Sequence, residues 1–125
     1  MTIAYLCILV AALLPIVCAG IAKAGFKGYD NRNPREWLSR QEGFRKRADA
    51  AQANGFEALP FFAAAVIVAH QLGAPQGRVD ALAAAFILAR IVYIATYVAD
   101  LATARSLAWA AGLGLAIAIF FSATW

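Results

Sequence analysis

Met1–Ala22, MTIAYLCILVAALLPIVCAGIA, contains no Asp, Glu, Lys or Arg, and Lys23 closes it. As a helix rising 1.5 Å per residue it reaches roughly 33 Å, enough to cross a hydrocarbon core of ~30 Å. Outward from it the pattern recurs. Ala58–Gly77 carry no charge, Ala81–Ala99 carry only Arg90, and Ser106–Trp125 carry none. Four apolar spans predict an all-α membrane protein, a bundle of four transmembrane helices running over about 2–23, 40–72, 78–100 and 103–124.

Composition agrees. The chain has 125 residues, of which 63% are hydrophobic and 14% charged, too little polar surface to coat a soluble globule of this size. The first span has no basic residue before it and is followed by Lys23 and Lys27, the flanks of a retained helix rather than a removed leader. At Ile16-Val17-Cys18, Val17 is too bulky for a lipoprotein cleavage site. Cys7 and Cys18 share this helix about 16 Å apart, so they cannot bridge and are read as packing residues. The net charge of +4 reports topology rather than nucleic-acid binding. No zinc-ligand spacing, phosphate loop or nucleophile elbow occurs, and no metal site is expected.

Residues 23–47 hold eight Lys or Arg against Asp30, Glu36 and Glu42, whereas the turn near Pro75 holds Arg78 and Asp80. The positive-inside rule therefore places the long loop in the cytoplasm and both termini outside, as in a multi-pass protein of the bacterial inner membrane. Tyr29–Pro34 is rich in turn formers. After Pro34 the pattern turns helical, predicting that the second membrane helix starts outside the bilayer, enters near Gly55 and ends at Gly73-Ala74-Pro75. The third and fourth helices are joined so closely that they must be antiparallel neighbours, with Thr103 as N-cap and Arg105 in the first turn. Ala108, Gly112 and Ala116 form a small-residue stripe suited to packing within one subunit or between subunits.

The polar residues within the spans fall into two stripes. Arg47, Asn54 and Glu57 occupy one face of the second helix at about 100° per residue, and Arg90, Tyr93, Tyr97 and Asp100 occupy one face of the third. Both lie toward the cytoplasmic half. An unpaired guanidinium at the depth of Arg90 is hard to sustain, and Glu57 is its best available partner. A lone buried pair stabilises little, because desolvation offsets the attraction. A polar cavity accounts for more of these residues. Its arginines suit carboxylates or a thiolate, Asn54 both donates and accepts, and Glu57 receives an ammonium, so a small zwitterionic peptide matches. His70 lies at the far end of its helix and is read as interfacial.

These motifs carry a family resemblance. Arg47-Ala-Asp-Ala-Ala-Gln-Ala-Asn54-Gly-Phe-Glu57-Ala-Leu-Pro60 and Arg90-x-x-Tyr93-x-x-x-Tyr97 followed by Arg105-Ser106, with the length and long basic loop, resemble a bacterial-type member of MAPEG, the membrane-associated proteins in eicosanoid and glutathione metabolism. The resemblance covers nearly the whole chain. It implies a homotrimer with glutathione as co-substrate between subunits, held by Arg47, Asn54, Glu57, Arg90, Tyr93 and Tyr97. Arg105 would be the catalytic residue beside the sulfur, favouring the thiolate that attacks a lipophilic small molecule delivered by membrane lipid. Family enzymes commonly have arginine where this chain has Ala50, and Arg47 is one turn earlier on the same face. The leukotriene-forming members often have an aromatic residue where this chain has Ala58.

Three functions are separable on these grounds. The first is a glutathione-dependent transferase or peroxidase. The second is a non-catalytic lipid-binding or scaffold trimer, suggested by Ala50 and Ala58. The third is a small four-helix drug exporter, but that class keeps its essential glutamate in the first helix, which here has no charge.

Overall fold

The structure is a computed structural model describing residues 1–25 and 28–125; Lys27, counted above among the loop cations, lies outside the described residues. Among the described residues five α-helices follow one another: α1 (Ile3–Lys23), α2 (Pro34–Ser39), α3 (Phe44–Gln71), α4 (Gln76–Val98) and α5 (Ala102–Phe120), with a final 3₁₀ turn at Ser122–Thr124. Helices α1, α3, α4 and α5 are long and apolar enough to cross a membrane, so the chain is an all-α, four-span membrane bundle. Leu6, Leu9, Leu13, Ile16, Leu88 and Leu107 stand exposed on its surface, where lipid or protein must cover them.

Close packing comes from small residues. Ala4, Ala11, Cys18 and Ala22 recur along one side of α1, and α1 packs along α3 as α4 packs along α5. Where α1 meets Gly55 of α3, a Cβ on the glycine would sit 2.8 Å from Pro15 Cγ. The bulkier centre is Phe62 stacked on Phe86 at 3.9 Å between centroids, with Val66, Val79 and Ile119 fully buried nearby. Ala108, Gly112 and Ala116 of α5 are buried within the chain. Gly112 lies against Arg90 and Phe86 of α4, so the small-residue stripe serves packing inside this subunit.

The ends are pinned by specific polar contacts. Thr2 caps α1 through Tyr5 N–H (3.0 Å), and Asp80 Oδ1 accepts from Ala4 N–H (2.9 Å), placing the starts of α1 and α4 side by side. Helices α3 and α4 both end in Schellman turns. Ala74 N–H reaches Ala69 O and Gly73 N–H reaches His70 O after α3; Leu101 N–H reaches Thr96 O and Asp100 N–H reaches Tyr97 O after α4. The left-handed residue is Gly73 (φ +75°) in one and Asp100 (φ +62°) in the other.

The basic end differs from the sequence reading in detail. Gly43, at φ +63°, breaks the helical run, so Pro34–Ser39 is a separate short helix and the membrane helix starts at Phe44 rather than near residue 40. Trp37 and Leu38 of α2 are buried against Ala22, Ala48, Ile21 and Val98. Thr103 is not the cap of α5: Leu101 holds that position, and no side chain caps the helix.

Candidate functional site between three helices

Three stripes meet where α3, α4 and α5 converge. On α3, Asn54, Glu57, Ala58 and Phe61 share a face; on α4, Phe86, Arg90, Tyr93 and Tyr97; on α5, Arg105, Trp109 and Leu113. They line two adjoining cavities. Asn54, Tyr93, Tyr97, Arg105, Ser106 and Trp109 bound one of about 290 Å³ at the basic-loop end. Deeper in the bundle, Asn54, Glu57, Phe61, Arg90, Trp109 and Leu113 border another of about 300 Å³. Asn54 and Trp109 belong to both, so the outer chamber passes directly into a deeper one whose wall sets Glu57 and Arg90 beside apolar side chains.

Two buried polar atoms on these walls have no hydrogen-bond partner among the described residues: Asn54 Oδ1 and Arg90 Nη2. One is an acceptor and the other a donor, each costly to leave unmet in a low-dielectric interior. The expected Glu57–Arg90 ion pair does not form within 4 Å. Instead, the Arg90 guanidinium, on a residue only 5% exposed, lies 4.3 Å over the ring of Tyr93, one turn further along the same helix. Glu57 is exposed at the surface of the single chain.

A ladder of rings and cations links α4 to α5. Tyr93 meets Tyr97 edge-on at 5.6 Å, and the Arg105 guanidinium lies 4.5 Å over the Tyr97 ring. Stacking on an aromatic face holds a desolvated guanidinium without a carboxylate, which leaves its positive field available to an anion. Arg105 N–H donates to Leu101 O (2.9 Å), so the side chain leaves α5 in its opening turn, where free backbone N–H groups add to that field.

Arg47 is placed elsewhere. Its Nε and Nη2 donate to Val98 O at 3.2 and 3.0 Å, so it caps the end of α4 and lines neither cavity. Arg47 thus does not reach inward to replace the arginine missing at Ala50. Asp100, assigned by periodicity to the Arg90–Tyr97 stripe, is exposed at the left-handed turn after α4. Trp109 was not singled out by sequence reading, although it follows Arg105 by four residues and so shares its face.

Comparison with curated proteins and with solved structures returns no match. A sequence model of the MAPEG family matches residues 3–125, essentially the whole chain. With four membrane helices and the Asn54–Glu57 and Arg90–Arg105 stripes turned toward one groove, the chain belongs to the MAPEG family, which includes glutathione transferases and peroxidases.

Proposed function

We propose that this protein is a glutathione-dependent membrane transferase or peroxidase acting on a lipophilic substrate. The observation carrying the reading is the pair of orphaned atoms, Asn54 Oδ1 and Arg90 Nη2, on the wall of a groove that also holds Arg105. Glutathione supplies what they lack: an N–H for the asparagine oxygen and a carboxylate for the guanidinium. Its ammonium suits Glu57, and Tyr93 and Tyr97 line the peptide's path. The sulfur would lie at Arg105, whose fixed charge favours thiolate over thiol.

From there the chemistry is direct. The thiolate uses its electron pair to form an S–C bond with an electrophilic carbon, and the displaced group leaves with the pair of the broken bond. With a hydroperoxide the thiolate attacks the outer oxygen, the O–O bond breaks, and the alkoxide takes a proton; a second thiol then yields disulfide and water. The apolar side of the deeper chamber, at Phe61, Trp109 and Leu113, admits the second substrate from the bilayer.

Glu57, exposed within a membrane-crossing helix, supports assembly as a homotrimer in which a neighbouring subunit closes the site. Charge asymmetry supports an inner-membrane topology with residues 23–47 cytoplasmic. The test is Arg105→Ala, assayed for conjugation of a chlorodinitrobenzene-type electrophile and for glutathione binding by calorimetry. The expected result is a loss of turnover of about 100-fold, with a much smaller loss of affinity. Unchanged turnover removes Arg105 from the mechanism.

A second reading, a non-catalytic lipid-binding or scaffold trimer, is favoured by one observation. Arg47 is engaged by Val98 O, so no arginine compensates for Ala50. Under that reading calorimetry detects no glutathione binding.

A further inference from the structure

A third groove lies away from the thiol site. Leu14, Val17 and Ile21 of α1 face Ile91, Ile94 and Val98 of α4 across about 350 Å³, and no polar residue lines it. On α4 these positions are rotated on average roughly 100° from Arg90, Tyr93 and Tyr97 at about 100° per residue. The groove runs roughly 13 Å from Leu14 to the end of α1.

Its open end is basic. Lys23 is the last residue of α1, its Nζ 4.8 Å over the ring of Tyr29, which packs in one cluster with the wall residues Ile21 and Val98, and Arg45 Nη1 donates to Ala22 O at 2.8 Å. Arg47 donates to the carbonyl of Val98, itself a wall residue. A guanidinium carries more donors than one carbonyl engages, so Arg47 can bind an anion as well. The groove is therefore apolar along its length and cationic at one end.

We propose that this groove binds one acyl chain of an anionic glycerophospholipid, with the phosphate held by Lys23 and Arg47. The asymmetry is that of the ligand: a hydrocarbon tail joined to a charged headgroup at the membrane surface. A second copy of the chain fits less well. The closest helix contacts within this bundle, along α1 and α5, use Ala and Gly, whereas most of the groove wall is branched, with Leu14, Val17, Ile21 and Ile91 keeping another helix at a distance.

The test titrates the full detergent-solubilised chain with phosphatidylglycerol or phosphatidylcholine of matched acyl chains and reads retained lipid by native mass spectrometry. Phosphatidylglycerol should be retained in preference, at one molecule per chain. Arg47→Gln should weaken its retention about fivefold and narrow the preference over phosphatidylcholine, whose choline ammonium already offsets the phosphate charge. Ala95→Trp or Val17→Trp, each filling the groove, should abolish retention of both; thermal transitions identify which variants fold. Equal retention of the two lipids overturns the headgroup assignment. Undiminished retention in the folded, filled variants overturns the groove. Efficient disulfide cross-linking between chains through a Val17→Cys variant in vesicles would give the face to a second copy and overturn the proposal.

Discussion

Replacing Gly55 with alanine probes the contact that sets how near α3 lies to α1. A Cβ there would be 2.8 Å from Pro15 Cγ and 3.5 Å from Pro15 Cβ. The pyrrolidine ring cannot rotate aside, so the helices must separate by several tenths of an ångström or the ring must deform. Such overpacking costs about 1–3 kcal/mol. Alanine also gains up to ~1 kcal/mol of helix propensity over glycine. Gly114 supplies the control, because a Cβ there meets nothing within 4 Å. Gly114→Ala is expected to be neutral or slightly stabilising, and the gap between the two variants isolates the steric cost of about 1–3 kcal/mol. Reversible SDS unfolding of detergent-solubilised protein, followed by circular dichroism, measures both. Adding Pro15→Ala to Gly55→Ala should recover most of the loss, a coupling that appears as non-additivity in the double-mutant cycle. Gly55 is bracketed by Asn54 and Glu57, so under the proposed function displacing α3 should raise the KM for glutathione in the single variant. Equal stabilities for Gly55→Ala and Gly114→Ala would refute the close-approach argument.

Two further outcomes follow from the same geometry. Tyr97→Phe keeps the ring beneath Arg105 and should retain kcat/KM within about threefold, whereas Tyr97→Leu removes the stacking and should lower it by roughly 5- to 30-fold; equal losses in steady-state assays would assign the effect to the hydroxyl instead. Asp100→Gly relieves a left-handed conformation and should stabilise the chain by about 0.5–1 kcal/mol, read as an upward shift of the thermal transition, while a downward shift would mean that the Asp100 side chain stabilises the turn.

Local rules made several features legible. Charge-free spans separated by a basic loop are a direct consequence of bilayer thickness and of the cost of buried charge, so four membrane helices could be read without tertiary information. Helical periodicity likewise placed Asn54 with Glu57, and Arg90 with Tyr93 and Tyr97, because 100° per residue fixes which side chains share a face. The break before α3 was less visible. Gly43 at a positive φ ends one helical run and starts another, and a helix-compatible sequence on both sides masks it.

What the sequence left open were choices among partners. Arg47 shares the face of Asn54 and Glu57, but a long flexible side chain goes where an unmet acceptor lies, and α4 ends with Val98 O within its reach. Arg90 had a carboxylate available by depth, yet Tyr93 stands one turn away on its own helix at 4.3 Å. Trp109 joined the site only once α5 was laid beside α4, making it, with Asn54, part of the wall shared by the outer and deeper cavities. The number of spans, the basic end and the composition of each helical face follow from rise, period and solvation along one chain, and so could be read from residue order. Which faces meet and which polar atoms remain unmet depends instead on the distances between helices that Gly55, Gly112 and their neighbours permit.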